Sequence, residues 1–161
     1  MSNPRNQAGL DAEKLATWAS VATLLEWLPA TLDAQLQRDS GLTHFEYGIL
    51  FALSNAAEHT LRMSTLADFS NSSLSRLSRA ATRLEAKEWM RRFPDPDDGR
   101  YTLASLTALG REKVEQATPG HVELLNRLIF GSLTQAQSRQ LRDISTRITS
   151  AIRPGRGWEP S

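Results

Sequence analysis

The segment 64-STLADFSNSSLSRLSRAATRLEAKEWMRRFPDPDDGRYTLASL-106 decides the fold. A short apolar stretch opens it, and we expect Ser64 to cap this first helix. The polar turn 70–73 follows, and it supplies N-cap residues for a second helix to about Lys87. The second helix is predicted from apolar residues at helical spacing, namely Leu74, Leu77, Ala81 and Leu84.

The hydrophobic period changes after this second helix. Residues 89–93 are short enough for a strand, 94–99 (PDPDDG) form a dense turn signal, and 101–106 return as a second strand. A short helix, a four-residue turn, a longer helix and a hairpin are the layout of a winged helix-turn-helix.

That layout is suited to DNA, because an α-helix fits the major groove of B-DNA. Its outer face carries short polar groups near the N-terminus and arginines further along. The candidate contacts on this helix are Ser73, Ser75, Arg76, Arg79 and Arg83. Arg100 lies at the hairpin tip, from which a basic side chain reaches the minor groove or the backbone.

The charge distribution agrees with a local phosphate-binding region. The net charge of the chain is only +1, but residues 11–58 carry seven acids against two bases, and 62–92 carry seven bases against three acids. A basic central segment in a nearly neutral chain favours a DNA-binding function. The other interpretation is a basic helix face that is simply solvated.

Helical patterns flank the segment, so the predicted fold class is mainly α with a small β-hairpin wing. Residues 10–36 are predicted to form a helix that is apolar around much of its circumference and is kinked at Pro29. Thr43 and Glu46 form a capping box for a helix to about residue 57. Thr107 caps a helix that is expected to kink or break at 117–120 and to continue over 121–130, with Val122, Leu125 and Ile129 as its apolar stripe. Thr134 opens the last helix, whose inward residues are expected to be Leu141, Ile144, Ile148 and Ile152.

Composition excludes several other classes of protein. There is no cysteine, which excludes disulfides and thiol chemistry, and no apolar run long enough to span a membrane. No Gly-rich phosphate loop, nucleophile elbow or zinc-protease motif is present, so we expect no enzyme and no cofactor. Three scattered histidines predict no metal site, and residues 1–9 do not form a secretory signal, so a cytoplasmic location is expected.

The ordered motifs resemble the MarR family of bacterial regulators. The resemblance is carried from Leu66 to Gly110 without gaps and covers roughly residues 10–152. Its motifs are Leu66-Ala67, Ser73 through Leu84-Glu85-Ala86-Lys87, Arg92, Asp98-Gly99-Arg100 and Leu106-Thr107-Ala108-Leu109-Gly110. The resemblance implies a winged helix-turn-helix over 43–106 and dimerisation helices at 10–38 and 107–152. The residues themselves predict a disordered start at 1–9 and a loose tail at 153–161.

The resemblance also implies roles for individual residues. The family positions that approach bases or phosphates are matched by Ser73, Ser75, Arg76 and Arg79. Arg83 lies one turn further along the helix and is expected to contact the DNA backbone. Asp98 matches a wing residue that orients Arg100 toward the minor groove. Family members often bind small aromatic acids between the dimer helices and the DNA-binding lobe, where the candidate pocket residues are Trp18, Trp27, His44 and His121. Core packing is the alternative for the tryptophans, and a surface or capping role is the alternative for the histidines.

Four positions depart from the family pattern. Glu88 replaces a glycine that ends the recognition helix, where a positive φ is often needed. Ser70 and Ser72 replace apolar residues in the turn, and Leu74 replaces a polar one. Leu74 is expected either to contact a thymine methyl group or to join the core.

The sequence therefore predicts a homodimeric, sequence-specific regulator that binds a pseudo-palindromic operator in double-stranded DNA. It is expected to act as a repressor released by a small aromatic or phenolic effector. The alternative is a winged-helix protein-protein interaction module without DNA binding. The Asp95, Asp97 and Asp98 cluster also permits a cation site, although the adjoining hairpin favours a wing tip.

Overall fold

A computed structural model of the chain describes residues 9–154 and confirms the predicted fold class. Six α-helices and a three-stranded sheet lie in the described range: α1 Ala12–Ser40, α2 His44–Ser54, β1 Thr60–Arg62, α3 Met63–Phe69, α4 Leu74–Ala86, β2 Met90–Pro94, β3 Thr102–Leu106, α5 Ala108–Leu128 and α6 Gln135–Ile152. The start predicted at 1–9 and the tail predicted at 153–161 lie almost entirely outside this range. No helix within it is both long and apolar enough to cross a membrane.

The core lies inside the winged helix unit and extends to the facing ends of α1 and α5. Leu50, Leu53, Leu77 and Leu84 are fully or almost fully buried in it. Leu36 of α1 joins the same cluster, so the long first helix is anchored to the core by its C-terminal part.

The sheet has one strand more than the sequence predicted. The predicted hairpin β2–β3 is present, with Met90 opposite Leu106 and Pro94 opposite Thr102. β1 adds to the other side of β3 in antiparallel register, which gives the order β1-β3-β2. Three residues are too short to show a period of two, and the strand exists only because β3 offers it a partner.

The predicted start of the third helix was wrong by a short distance. α3 begins at Met63, which is buried, and its N-cap position is Arg62, whose side chain caps no backbone N–H group. Because β1 leads directly into the helix, Ser64 lies inside the first turn and does not cap it.

α1 is a single helix that continues through Pro29. Asp11 caps its N-terminus by accepting a hydrogen bond from the backbone of Lys14. Gly41 ends it in the left-handed conformation, with φ 64°. The capping box of α2 is present as predicted, with Thr43 and Glu46 each accepting from the other's backbone N–H.

Of the kink or break expected at 117–120, the break was wrong, because α5 is continuous through Pro119. A proline inside a helix removes a single N–H donor, and tertiary contacts on both sides compensate for that loss. Thr118 hydrogen-bonds the hydroxyl of Tyr47 in α2 at 3.0 Å. Gly120 lies against α1, where an added Cβ would meet Gln35 Nε2 at 3.3 Å.

Two predicted apolar stripes are placed differently within the described chain. In α5 the buried residues of the second half are His121 and Leu124, whereas Val122 is exposed. In α6 no residue is buried, and the four predicted inward residues (Leu141, Ile144, Ile148 and Ile152) are 40 to 71% exposed. The apolar face of α6 is correctly read from the sequence, but it does not face this chain's own core.

We expect Glu88→Gly to stabilise the fold by about 1 kcal/mol, because Glu88 has a φ of 57°. It stands just after α4, where Glu88 N–H bonds Glu85 O at 2.8 Å and Trp89 N–H bonds Leu84 O at 3.0 Å. These two bonds form a Schellman end, whose left-handed residue is usually glycine.

Urea unfolding of wild type and variant measures this difference. Lys87→Gly is the matched control, because Lys87 has a negative φ of −94° and gains nothing from glycine. A Glu88→Gly protein no more stable than wild type would contradict the left-handed conformation.

Candidate nucleic-acid interface

The two faces of α4 differ sharply in burial. Leu77, Ala80, Ala81 and Leu84 are at most 1% exposed and anchor the helix to its domain. The opposite face is exposed and carries the predicted contact residues Ser75, Arg76, Arg79 and Arg83. A helix fixed on one side and polar on the other is the geometry that groove insertion requires.

Ser73 forms the N-cap of this helix. Its hydroxyl accepts a hydrogen bond from the backbone N–H of Arg76 at 3.2 Å, and its φ and ψ (−69°, 152°) are those of an extended N-cap residue. The other N–H groups of the first turn have no partner within a helix, so the exposed helix end attracts an anion such as phosphate.

The arginines of α4 differ in how they are held. Within residues 9–154 the Arg79 side chain makes no hydrogen bond and no ion pair, and it projects into solvent. The guanidinium of Arg76 lies over the ring of Phe45 in α2, at 4.3 Å from its centroid. Arg79 is thus free to contact a ligand, whereas Arg76 is pre-oriented by an aromatic face.

Arg83 links α4 to α2. Its Nε donates to Glu46 Oε1 at 2.8 Å, while Glu46 also accepts from the backbone of Thr43. Burial alone would raise the pKa of Glu46, but these hydrogen bonds together hold its pKa below the ordinary value. Arg83, which the sequence predicted to contact the DNA backbone, has a side chain that is 60% exposed and already paired with Glu46.

Leu74, for which the sequence left two interpretations open, does not join the core. It is 58% exposed, although it continues the apolar stripe of α4. The next residue of that stripe, Leu77, is completely buried.

The wing brings together the predicted pair Asp98 and Arg100. Arg100 Nη2 donates to Asp98 Oδ2 at 2.6 Å, and Arg100 Nε donates to Asp98 Oδ1 at 2.9 Å. These hydrogen bonds lower the pKa of Asp98, so the carboxylate stays charged and the pair stays intact at neutral pH. The Arg100 side chain is 82% exposed, so the pair presents an oriented cation at the wing tip.

The other end of the wing loop is held by an ion pair that the sequence analysis did not identify. Asp95 is only 7% exposed and accepts a hydrogen bond from Arg62 of β1 at 3.0 Å. The same guanidinium lies 4.2 Å from the ring centroid of Tyr101. The acidic cluster thus has two of its carboxylates, Asp95 and Asp98, bound to arginines. Within residues 9–154 no three acidic, histidine or cysteine side chains are grouped to hold a metal.

Arg92 connects the wing to α4. It donates to Glu85 Oε2 at 2.6 Å, to Ser78 at 2.9 Å and to Thr82 at 3.0 Å. The hydrogen bonds from Arg92 lower the pKa of Glu85. Because Arg92 is in β2 and its three partners are in α4, these hydrogen bonds join the wing directly to the helix.

A cavity of about 880 Å³ lies between α1, α2, the helix-turn-helix and α5. Its walls are largely apolar, and the polar groups on them include Asp33, His44, Arg76 and His121. The predicted pocket histidines are therefore brought together, with ring centroids 6.0 Å apart. Burial lowers the pKa of His44, and burial together with repulsion from protonated His44 lowers the pKa of His121, so both rings favour the neutral form.

The hydrogen-bond network also assigns the proton on His121. Gln35 donates from Nε2 to Asp39 at 2.9 Å, so its Oε1 accepts and His121 Nδ1 is the donor at 3.2 Å. The other ring nitrogen of His121, Nε2, is then an acceptor.

The structure places the predicted pocket residues Trp18 and Trp27 elsewhere. Neither lines the cavity, and their exposed fractions are 54% and 72%. The core packing that was their alternative is also absent from the described chain. Both belong to an exposed apolar surface on the N-terminal two thirds of α1, with Leu15, Val21, Leu24 and Leu25.

Comparison with known proteins agrees with the winged helix-turn-helix class that the fold defines. A model of the MarR family matches residues 42–102. Sco3205, a MarR family transcriptional regulator from Streptomyces coelicolor solved in complex with DNA, is 37% identical; the alignment covers 91% of this chain and 96% of Sco3205, with a TM-score of 0.88. AbsC, a MarR family regulator from the same organism, is 30% identical over 90% of this chain and 97% of its own, with a TM-score of 0.85.

Curated sequences give the same result. The helix-turn-helix transcriptional regulator YxaD from Bacillus subtilis is 30% identical in an alignment of 122 residues that covers 70% of this chain and 84% of YxaD. The chain belongs to the MarR family of transcriptional regulators, as the ordered motifs predicted. Members of this family are regulators and not enzymes.

Proposed function

We propose that this protein is a homodimeric repressor that binds a pseudo-palindromic operator through α4 and the wing. The observation that carries the proposal is the division of α4 into a face at most 1% exposed and an exposed face with Ser75, Arg76 and Arg79. The similarity to Sco3205, which was solved with DNA, supports it. Bound protein would cover promoter DNA and block transcription from it.

Each contact residue has a role in this proposal. Ser73 and Ser75 approach the groove at the helix N-terminus, and Arg76 and Arg79 contact bases or phosphates. Arg83, held by Glu46, contacts the backbone. Arg100, oriented by Asp98, enters the flanking minor groove.

Dimerisation is supported by apolar surface that the chain leaves uncovered. The exposed apolar residues of α1 and the whole apolar face of α6 are solvent-accessible in a single chain. Surface of this extent marks a protein interface. Two copies would bury it and place two α4 helices on half-sites about one helical turn apart.

The proposal is tested by titrating a random duplex pool with the protein at low and moderate salt and sequencing the retained DNA. Salt-sensitive binding with an enriched palindrome is expected, because phosphate contacts release counterions. Absence of binding at both salts would favour the alternative, a winged-helix module that contacts proteins only.

We expect Arg79→Ala to weaken binding to the selected operator by about 1 to 3 kcal/mol if Arg79 contacts a base. The fold should be unaffected, because this side chain has no partner within residues 9–154. Fluorescence anisotropy gives the affinity. Arg127→Ala removes an exposed arginine from α5, outside the winged helix, and should leave it unchanged. An operator affinity equal to that of wild type would remove Arg79 from the interface.

A finer part of the proposal is release of the repressor by a small aromatic or phenolic effector in the 880 Å³ cavity. The size and apolar lining suit such a molecule. His44 of α2 and Arg76 of α4 are both on its wall, so an occupant would contact the recognition helix directly. A ligand that prefers one position of this helix would shift its equilibrium.

Calorimetric titration with salicylate and with phenol tests this effector site. Binding weakened by His44→Ala but not by Trp27→Ala supports the cavity, since Trp27 is absent from its wall. Binding that His44→Ala leaves unchanged contradicts it.

A further inference from the structure

Leu74 is an exposed leucine at a position where the helix pattern places a core residue. It belongs to the apolar stripe of α4, yet it is 58% exposed, while Leu77 and Leu84 of the same stripe are at most 1% exposed. Leu74 is the first residue of the helix, directly after the N-cap Ser73. The core therefore ends between Leu74 and Leu77, and Leu74 projects beyond it.

Leu74 is not part of a continuous apolar stretch of the chain. Its chain neighbours Ser73, Ser75 and Arg76 are all exposed and polar. The large apolar surface of the chain lies on α1 and α6, which are different elements. A single exposed leucine on an ordinary surface needs no explanation. This one occupies the first turn of the helix that the proposed function inserts into the major groove.

The chemistry of the groove limits what an aliphatic side chain recognises there. Base edges in the major groove present hydrogen-bond donors and acceptors, and the apolar group among them is the C5 methyl of thymine. Leucine has no hydrogen-bonding group, so a contact with any other base edge would desolvate a polar atom without replacing its hydrogen bond.

We propose that Leu74 is a specificity-determining residue that recognises the C5 methyl group of one thymine in each half-site of the operator. This inference rests on the proposed function, because it requires α4 in the major groove. It extends that function by naming the base and the atom that the first turn of α4 selects.

The test removes the methyl group alone. Each thymine of the selected operator is replaced in turn by deoxyuridine, and the dissociation constant of the full-length protein is measured by anisotropy. At one position per half-site the affinity should fall about fourfold, and about fifteenfold when both half-sites are changed, as burial of one methyl group predicts. Leu74→Ala should bind the thymine operator about as weakly as wild type binds the uracil operator and should be insensitive to the replacement.

Leu109→Ala is the matched control, since Leu109 is an exposed leucine in the first turn of α5, outside the helix-turn-helix. It should keep both the wild-type affinity and the wild-type response to uracil. Thermal unfolding of both variants should match wild type, because neither side chain is in the core.

The outcomes separate this inference from the proposed function. If the wild type binds a selected operator but no thymine-to-uracil change is suppressed by Leu74→Ala, the methyl contact is wrong and the regulator remains. The contact is equally wrong if Leu74→Ala binds the operator as wild type does. If the wild type selects no sequence from the pool, the proposed function fails, and the methyl contact fails with it.

Discussion

Gly110→Ala is expected to destabilise the fold by about 3 kcal/mol, near the upper end for an overpacked site. Gly110 lies in the first turn of α5 and is buried beneath the strand that follows α4. A Cβ at this position would lie 1.9 Å from the carbonyl oxygen of Trp89 and 2.8 Å from a methyl carbon of Leu106. The first of these atoms is backbone, so no side-chain rotation relieves the overlap.

The junction at Gly110 has little room to move. Thr107 N–H bonds the same Trp89 carbonyl at 3.2 Å, and the Thr107 hydroxyl donates to Glu88 O at 2.6 Å. An added methyl group would have to separate the start of α5 from the end of α4, and those hydrogen bonds would be lost.

Urea unfolding of Gly110→Ala against Gly48→Ala measures the effect. Gly48 is exposed inside α2 with nothing within 4 Å of its added Cβ, so alanine there should stabilise by about 0.5 to 1 kcal/mol. Equal stabilities for the two variants would show that α5 does not approach Trp89 as closely as the structure has it.

Local signals in the sequence predicted most of the elements. The N-caps Thr43, Thr107 and Thr134 and the turn around Gly99 act over three to six residues, and the structure confirms them. Prediction failed where a distant partner decides. β1 is a strand because β3 lies beside it, and α5 passes through Pro119 because α1 and α2 hold it.

The same distinction applies to the candidate site. Asp98 and Arg100 are two residues apart, so their pairing was accessible to sequence reasoning. The Glu46–Arg83 and Arg62–Asp95 pairs join residues that are 37 and 33 positions apart in the sequence. No local sequence pattern predicts either pair. Both become visible only when α2 packs on α4 and β1 joins the wing sheet.

Amphipathic pattern shows which face of a helix is apolar but not what covers that face. For α4 the cover is the chain's own core, and the prediction that Leu77, Ala81 and Leu84 are buried was confirmed. For α6 the same pattern predicted that the apolar face packs against the chain's own core, but the structure leaves that face exposed to solvent. Most of the stability of a helix in a protein comes from packing of its apolar face. α6 has 18 residues and a capping box but no buried side chain, so its own chain does not supply that packing. A second copy of the chain is the cover that we propose.

The double variant Ile144→Asp/Ile148→Asp is accordingly expected to convert the protein from dimer to monomer. These isoleucines lie one turn apart on the exposed face of α6 and are 55% and 52% exposed in the single chain. Burying unpaired carboxylates in an apolar dimer interface costs more free energy than such an interface supplies. Because neither residue contributes to the core of its own chain, the winged helix itself should stay folded.

Sedimentation at micromolar concentration measures the change, with about twice 17.9 kDa expected for wild type and 17.9 kDa for the variant. Operator affinity should fall by about 10² to 10⁴-fold, because linked half-site binding is lost. Thr146→Asp/Ser150→Asp has the same charge and spacing on the opposite face of α6 and should remain dimeric. If Ile144→Asp/Ile148→Asp also sediments as a dimer, α6 is outside the seam. A monomeric wild type would instead leave the apolar surfaces of α1 and α6 to a different partner, and α4 would have to read a single half-site.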